Sequence, residues 1–301
     1  MRLLRTPDDR FTDLPDFPFE PRYADLADPN GGVIRVGYVE AGPADGPVVL
    51  LLHGEPSWSY LYRKMLPVLA TAGLRAIAPD LVGFGRSDKP ADVADHSYAR
   101  HVEWMRAFAF DTLGLKDVTL VGQDWGGLIG LRMVASSPSR FAGVVAANTG
   151  LPTGDVDMPP EWHAFRTAVE KAPLLDVGRF VQSGCRSRLS EAERAAYDAP
   201  FPNEMYKAGP RAMPSLVPYR PDDPASSSNR AAWKTLTELE IPFLVAFSDG
   251  DPITAGMAPI LRRSMRGAQG REHPVIADAG HFLQEDKGEE LAEHVARFVR
   301  G

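Results

Sequence analysis

Three features of the chain predict an α/β fold with a mostly parallel central sheet, flanking helices and an inserted helical cap. Short β-branched runs alternate with amphipathic stretches from about residue 31 to 150. The alternation stops between about 153 and 228, where prolines gather and no strand candidate occurs. It resumes near residue 242 and continues to the C-terminus.

The strand candidates, in order, are Val33–Glu40, Val48–His53, Arg75–Pro79, Val118–Gly122 and Gly143–Ala147. Each is short and apolar, as a strand buried on both faces requires. The first two, joined by a short Gly/Pro-rich link, are expected to form an antiparallel hairpin at one edge. Amphipathic stretches at Tyr60–Ala72, Tyr98–Leu113 and Gly127–Ser136 supply the covering helices. Helical pieces follow at Glu161–Lys171, Leu175–Gln182 and Glu191–Tyr197, and the aromatics among and after them point to a packed unit. The segment PDDPASSSN before Arg230 is expected to be the return hinge. Strands at Pro242–Phe247 and His273–Ile276 and a helix over Leu291–Val299 complete the pattern. The expected division is a core of residues 1–152 and 229–301 and a cap of residues 153–228.

A chain of 301 residues with 44% hydrophobic side chains can bury a core of this size. No apolar run is long enough to span a membrane, and the N-terminus lacks the apolar region of a signal peptide. The only cysteine, Cys185, excludes an internal disulfide and suits a reducing compartment, so a cytoplasmic protein is expected. With a formal charge of −7 and scattered Lys and Arg, nucleic acid is not an expected partner. The histidines show no metal-ligand spacing, and the glycines of Gly83–Ser87 lack the lysine of a phosphate loop, so neither metal nor cofactor is expected.

In an open α/β sheet, ligands gather at the carboxyl ends of the strands. Four such ends carry polar residues: His53-Gly54-Glu55-Pro56, Gln123-Asp124-Trp125, Ser248-Asp249-Gly250-Asp251-Pro252 and Ala279-Gly280-His281-Phe282. Gly122-x-Asp124-x-Gly126, between a VTLV strand and a helix, has the spacing of a nucleophile elbow. The order Asp124, Asp251, His281 is that of nucleophile, acid and histidine in the hydrolases that use this elbow. A carboxylate at the tip is an anionic nucleophile that needs no deprotonation.

HGEPSWSYLYR (53–63), VGQDWGG (121–127), FSDGDPIT (247–254) and DAGHFLQED (278–286) together resemble the haloalkane dehalogenases of the α/β-hydrolase superfamily. The resemblance extends over nearly the whole chain. Its nearest match is the subgroup with Glu after the His-Gly and with two halide-binding tryptophans. It implies hydrolysis of a halogenated aliphatic compound through an alkyl ester on Asp124. Water activated by His281 would cleave the ester, and Asp251, which fits the family pattern better than Asp249, would orient the histidine. The backbone N–H groups of Glu55 and Trp125 would form the oxyanion hole. Trp125 answers a physical need as well: an indole N–H can hold a desolvated halide without adding charge. The second halide donor is carried to Trp162, the only tryptophan of the helical block, although Phe165 falls at nearly the same place. The Glu55 carboxylate is a candidate acceptor for the hydrolytic water, or else a supporting group, and His53 is expected to shape its turn.

The implied partners are a small apolar halogenated substrate and the halide product, acted on by a monomer. An epoxide hydrolase is the main rival, since it shares the aspartate and the Asp–His pair but donates protons from cap tyrosines. Tyr197, Tyr206 and Tyr219 lie in the block, whereas Gln123 and Glu55 favour the dehalogenase. A serine esterase is excluded by the absence of serine at the elbow. A non-catalytic binding protein would need a missing triad member.

Overall fold

The computed structural model describes residues 1–28 and 32–301. Seven strands form its central sheet: β1 (Arg22–Ala27), β2 (Val33–Ala41), β3 (Val48–Leu52), β4 (Arg75–Pro79), β5 (Val118–Gln123), β6 (Phe141–Ala147) and β7 (Phe243–Val245). Across the sheet they run β1-β2-β4-β3-β5-β6-β7. The pairs from β4 to β7 are parallel, and β1 and β2 form the antiparallel edge.

The hairpin expected between Val33–Glu40 and Val48–His53 does not form. β2 pairs with β1 on one side and β4 on the other. β1, RYADLA, buries only Ala24 and Leu26 and turns its charged residues outward, which suits an edge. β3, VVLLL, is apolar throughout and takes a central place between two parallel neighbours.

The helix expected over Tyr60–Ala72 is divided into a 3₁₀ turn at Ser59–Tyr62 and α1 (Met65–Thr71). α2 (Tyr98–Arg106) opens on Ser97, whose Oγ accepts from the Arg100 N–H at 3.2 Å, and continues as a π-helical segment, Ala107–Thr112. α3 (Trp125–Ser136) starts directly after β5.

From residue 153 the described chain is helical and irregular: α4 (Pro160–Lys171), α5 (Val177–Ser183), α6 (Glu191–Asp198) and α7 (Ala208–Leu216). Asp176 caps α5, and a reciprocal Ser190–Glu193 capping box opens α6. α8 (Ser226–Glu238) begins inside the expected hinge, so Ser226–Asn229 are helical rather than a linker. The turn lies just before it, where Asp223 accepts from the Tyr219 and Arg220 N–H groups, each at 2.8 Å. Asn229 ties this return to the core: its Oδ1 accepts from Arg132, and its Nδ2 donates to Pro152 O.

α9 (Met257–Ser264) and α10 (Leu283–Arg300) close the fold. α10 starts earlier than the sequence pattern implied, because its first turns bury the polar side chains of Gln284 and Glu285. Glu285 pairs there with the fully buried Arg63, whose other nitrogen reaches Glu193 at 2.8 Å. The Tyr197 hydroxyl donates to the same Glu285 carboxylate, so one buried network joins α6 to the core.

Candidate active site

β5 delivers Asp124 at a sharp turn into α3. Its φ of 49° and ψ of −125° lie outside the usual regions for an L-residue. The turn is possible because the backbone around it comes very close. A Cβ on Gly126 would collide with the carbonyl of Leu52, and one on Gly54 would overlap the Asp124 carboxylate itself. Thr149 Oγ1 donates to Asp124 O at 2.7 Å and braces the turn from β6. The Asp124 side chain keeps 21% exposure, all of it relevant because the residue lines a cavity of about 720 Å³.

His281 reaches this carboxylate from the loop before α10. Its Nδ1 lies 3.0 Å from Asp251 Oδ2, and its Nε2 lies 3.5 Å from Asp124 Oδ2. Asp251 is buried and further fixed by the Ile253 N–H at 2.9 Å and by the Thr254 hydroxyl. Burial opposes its charge, but His281 and these donors hold its pKa down to about 2. Asp249 does not compete: it accepts from the Asp278 and Ala279 N–H groups in the loop beside it. Burial likewise opposes a charged His281, yet Asp251 and Asp124 outweigh it and raise its pKa to about 10.

The Glu55 N–H donates to Asp124 Oδ1 at 2.8 Å. The Glu55 side chain is buried, and its Oε1 has no partner among the described residues. Burial, with the Asp124 charge added, pushes this carboxyl well above the ordinary range. A shift in this direction lessens the negative charge set beside Asp124. His53, just before it, is a structural residue: its Nε2 accepts from the Leu81 N–H at 2.9 Å, and its Nδ1 faces Gly54 O at 2.9 Å.

Trp125 and Trp162 both line the cavity, and both also line a second cavity of about 490 Å³ that meets the first at Asp124. Trp58 and Trp233 spend their indole N–H groups on Ala196 O and Leu151 O. No protein acceptor among the described residues meets those of Trp125 and Trp162. Tyr98 packs edge-on against Trp125, with ring centroids 4.9 Å apart, and Tyr219 lies against Trp162 at 5.4 Å. Phe165, the competitor for the second donor, lines the first cavity as a purely apolar wall. Among the described residues no tyrosine lines either cavity. Tyr197 is turned into the Arg63–Glu285 network.

Two residues of the site had no role assigned by the sequence reading. Asn148 ends β6 at a φ of 38°, and its Nδ2 donates to Ser248 Oγ, Gly280 O and His281 O. It thereby anchors the loop that carries His281. Gln123, fully buried, reaches the same histidine. A polar residue at a strand end was the available signal for both, but their target lies more than a hundred residues away.

Fold and site together define an α/β hydrolase with an aspartate on its nucleophile elbow, and residues 47–288 match the family described as alpha/beta hydrolase fold. Full-length relatives narrow the class. The chain is 52% identical to a haloalkane dehalogenase from Psychrobacter cryohalolentis, over 99% of this chain and 98% of that one. It is 49% identical to a haloalkane dehalogenase from Mycolicibacterium paratuberculosis, over 98% of this chain and 97% of that one. Among solved structures, the tetrameric haloalkane dehalogenase DpaA from Paraglaciecola agarilytica NO2 superposes with a TM-score of 0.90 at 35% identity, covering 98% and 97% of the two chains. The chain belongs to the haloalkane dehalogenase family. No helix among the described residues is long and apolar enough to cross a membrane.

Proposed function

We propose that Asp124 is the nucleophile through which this dehalogenase hydrolyses small apolar haloalkanes to an alcohol, a halide ion and a proton. The observation that carries the assignment is the company Asp124 keeps in its cavity. Two tryptophans whose indole N–H groups meet no protein acceptor among the described residues line it, and no tyrosine does. Halide departure needs N–H donors, whereas opening an epoxide needs a proton donor.

In the first step Asp124 Oδ2 attacks the halogen-bearing carbon and the halide leaves with the bonding pair. Trp125 and Trp162 take up the anion, which is costly to desolvate without donors. The product is an alkyl ester on Asp124, with Oδ1 as its carbonyl oxygen at the Glu55 N–H. In the second step His281 takes a proton from water as the water attacks the ester carbonyl. The Glu55 and Trp125 N–H groups stabilise the oxyanion. Collapse releases the alcohol and restores the carboxylate. Asp251 stabilises the imidazolium until the proton passes to solvent.

The two steps make different demands on His281. Attack on carbon needs no free base at His281. Ester hydrolysis needs it neutral, and esterification removes the Asp124 charge that helps hold the proton. The helical block 153–228 acts as a cap that supplies Trp162 and Phe165 to the pocket. Nucleophile, base, acid and both indoles come from one copy of the chain, so a monomer is sufficient for the chemistry.

The test is bromide and proton release from 1-bromobutane, beside diol formation from a small epoxide, for the wild type and Asp124→Asn. Bromide release abolished by the substitution, at least about 10⁴-fold down, is expected. Diol without bromide would move the assignment to an epoxide hydrolase.

A further inference from the structure

We propose that Gln123 is a positioning residue for the base: its side-chain NH₂ group donates to the Nε2 lone pair of His281 and favours the neutral imidazole that ester hydrolysis requires. The proposal rests on the dehalogenase reading of the site and adds a residue to it.

The geometry fixes the direction of this hydrogen bond. Gln123 Nε2 lies 3.1 Å from His281 Nε2 and 3.2 Å from His281 O. A backbone carbonyl can only accept, so the contact with His281 O is made by the amide NH₂, while the buried Gln123 Oε1 has no partner among the described residues. The flipped amide would set two carbonyl oxygens against each other. One amide hydrogen then serves His281 O, and the second points at the ring nitrogen. A protonated Nε2 would meet that hydrogen with its own. The contact is therefore made only by the ring that carries its proton on Nδ1, toward Asp251.

The other groups facing His281 pull the opposite way. Asp251 at 3.0 Å, after the strand Phe247–Ser248, and Asp124 at 3.5 Å, at the head of α3, both favour the imidazolium. Glu55, after β3, is buried beside Asp124. Asn148, just after β6, meets His281 only at its backbone carbonyl. Asp286 of α10 is occupied by the N–H groups of Gly280, Arg186 and Ser187. From the helical block, Gly184 approaches the His281 Cβ, and the Arg186 guanidinium lies over the Gly250 backbone. Gln123 is thus the one side chain here whose hydrogen bond to the ring exists only in the neutral form. It is also closer to Nε2 than Asp124 is. Burial raises the stake, because Gln123 is fully buried and its contact is not shared with bulk water.

The arrangement suits a two-step reaction. Once Asp124 is esterified, one of the two carboxylates that hold the proton has lost its charge. Gln123 then helps tip the ring to its neutral state. When the hydrolytic water claims the Nε2 lone pair, the amide retains its bond to His281 O and keeps the ring in place.

The experiment is a single-turnover measurement with 1-bromobutane in excess enzyme, reading bromide and butanol separately from pH 5 to 10. Wild type, Gln123→Met and Gln123→Leu are compared. Met preserves the length of the side chain and removes the donor. The bromide phase reports attack by Asp124 and shows that each variant is folded and competent. The expected result is a bromide phase close to that of the wild type and a slower butanol phase. The deficit should grow as pH falls, moving the acid limb of the butanol phase up by about one pH unit, roughly tenfold at fixed pH below the limb. A deficit independent of pH, or no change in the butanol phase, would reduce Gln123 to a structural residue and overturn the proposal. Absence of a bromide phase from the wild type would instead overturn the dehalogenase reading of the site.

Discussion

Glu55 and Asp124 are joined by one hydrogen bond at the tip of the elbow. The Glu55 N–H donates to Asp124 Oδ1 at 2.8 Å in the free carboxylate. In the proposed reaction the same donor faces, after esterification, the carbonyl oxygen on which negative charge develops. The donor need not move, so no reorganisation is required at the moment of reaction. Gly54 makes the approach possible, because any side chain there would occupy the space of the carboxylate.

The division of labour between Asp124 and His281 predicts a trapped intermediate. His281→Ala leaves attack on carbon in place and removes the base. Such a variant should release one equivalent of bromide per chain and then stop. Intact-mass measurement should show Asp124 heavier by one butyl group. Steady turnover by this variant would assign the base elsewhere.

The two indole donors predict a loss specific to the halide. Trp125→Phe keeps a ring against Tyr98 and removes the N–H; Trp162→Phe does the same against Tyr219. A hydrogen bond to a charged group contributes about 1.5–3 kcal/mol, so each substitution should weaken bromide binding roughly 10- to 100-fold. Quenching of tryptophan fluorescence by titrated bromide measures this, with Trp233→Phe as the control whose affinity should not change.

The Asp251–His281 pair predicts a signed pH dependence of stability. The Asp251 pKa is held near 2, below its ordinary value of 3.8, so its contribution is complete above about 4 and is lost as pH falls through 2. The His281 pKa is raised to about 10 from 6.5, so its contribution is complete below 6.5 and is lost as pH rises through 10. Asp251→Asn should therefore flatten the melting temperature on both the acid side and the alkaline side. Thermal melts from pH 3 to 10 would show it; an unchanged profile would mean that the pair does not couple to folding.

The buried Arg63–Glu285 pair predicts a large stability loss without a change in chemistry. Glu285→Gln leaves a fully buried guanidinium with only the partly exposed Glu193 as a counter-charge. Removing one partner of such a pair costs about 3–5 kcal/mol. Urea unfolding should register the loss, while the bromide phase per folded chain stays close to that of the wild type.

Much of the site was legible in the sequence because it is built from local geometry. The elbow needs glycines at fixed offsets from Asp124, and Gly122 and Gly126 supply them, with the strand directly before Asp124 and the helix directly after. The parallel strands β3 to β6 could be read from their own apolar runs. For Trp162 the sequence offers only its place in the helical block to distinguish it from Phe165.

Other features were hidden because their cause lies far along the chain. β1 has the alternation of a strand, but its partner choice depends on β3 taking the centre of the sheet. α7 contains Pro214, which argues locally against a helix and is tolerated here near the helix end. Whether Asp249 or Asp251 faces His281 depends on how the loop after Phe247–Ser248 turns toward the loop after Val275–Ile276.

The sequence by itself determined the chemistry available to this protein: a carboxylate on a sharp turn, a histidine and an acid at later strand ends, and indoles in the right segments. Those are properties of residue type and short-range spacing. The tertiary structure alone decided the charge states and the donor directions. Burial beside Asp124 pushes the Glu55 carboxyl well above its ordinary range, none of the block's tyrosines lines the cavity, and Gln123 meets a histidine that follows it by more than 150 residues. These depend on distance and desolvation between segments remote in sequence, which no local pattern encodes.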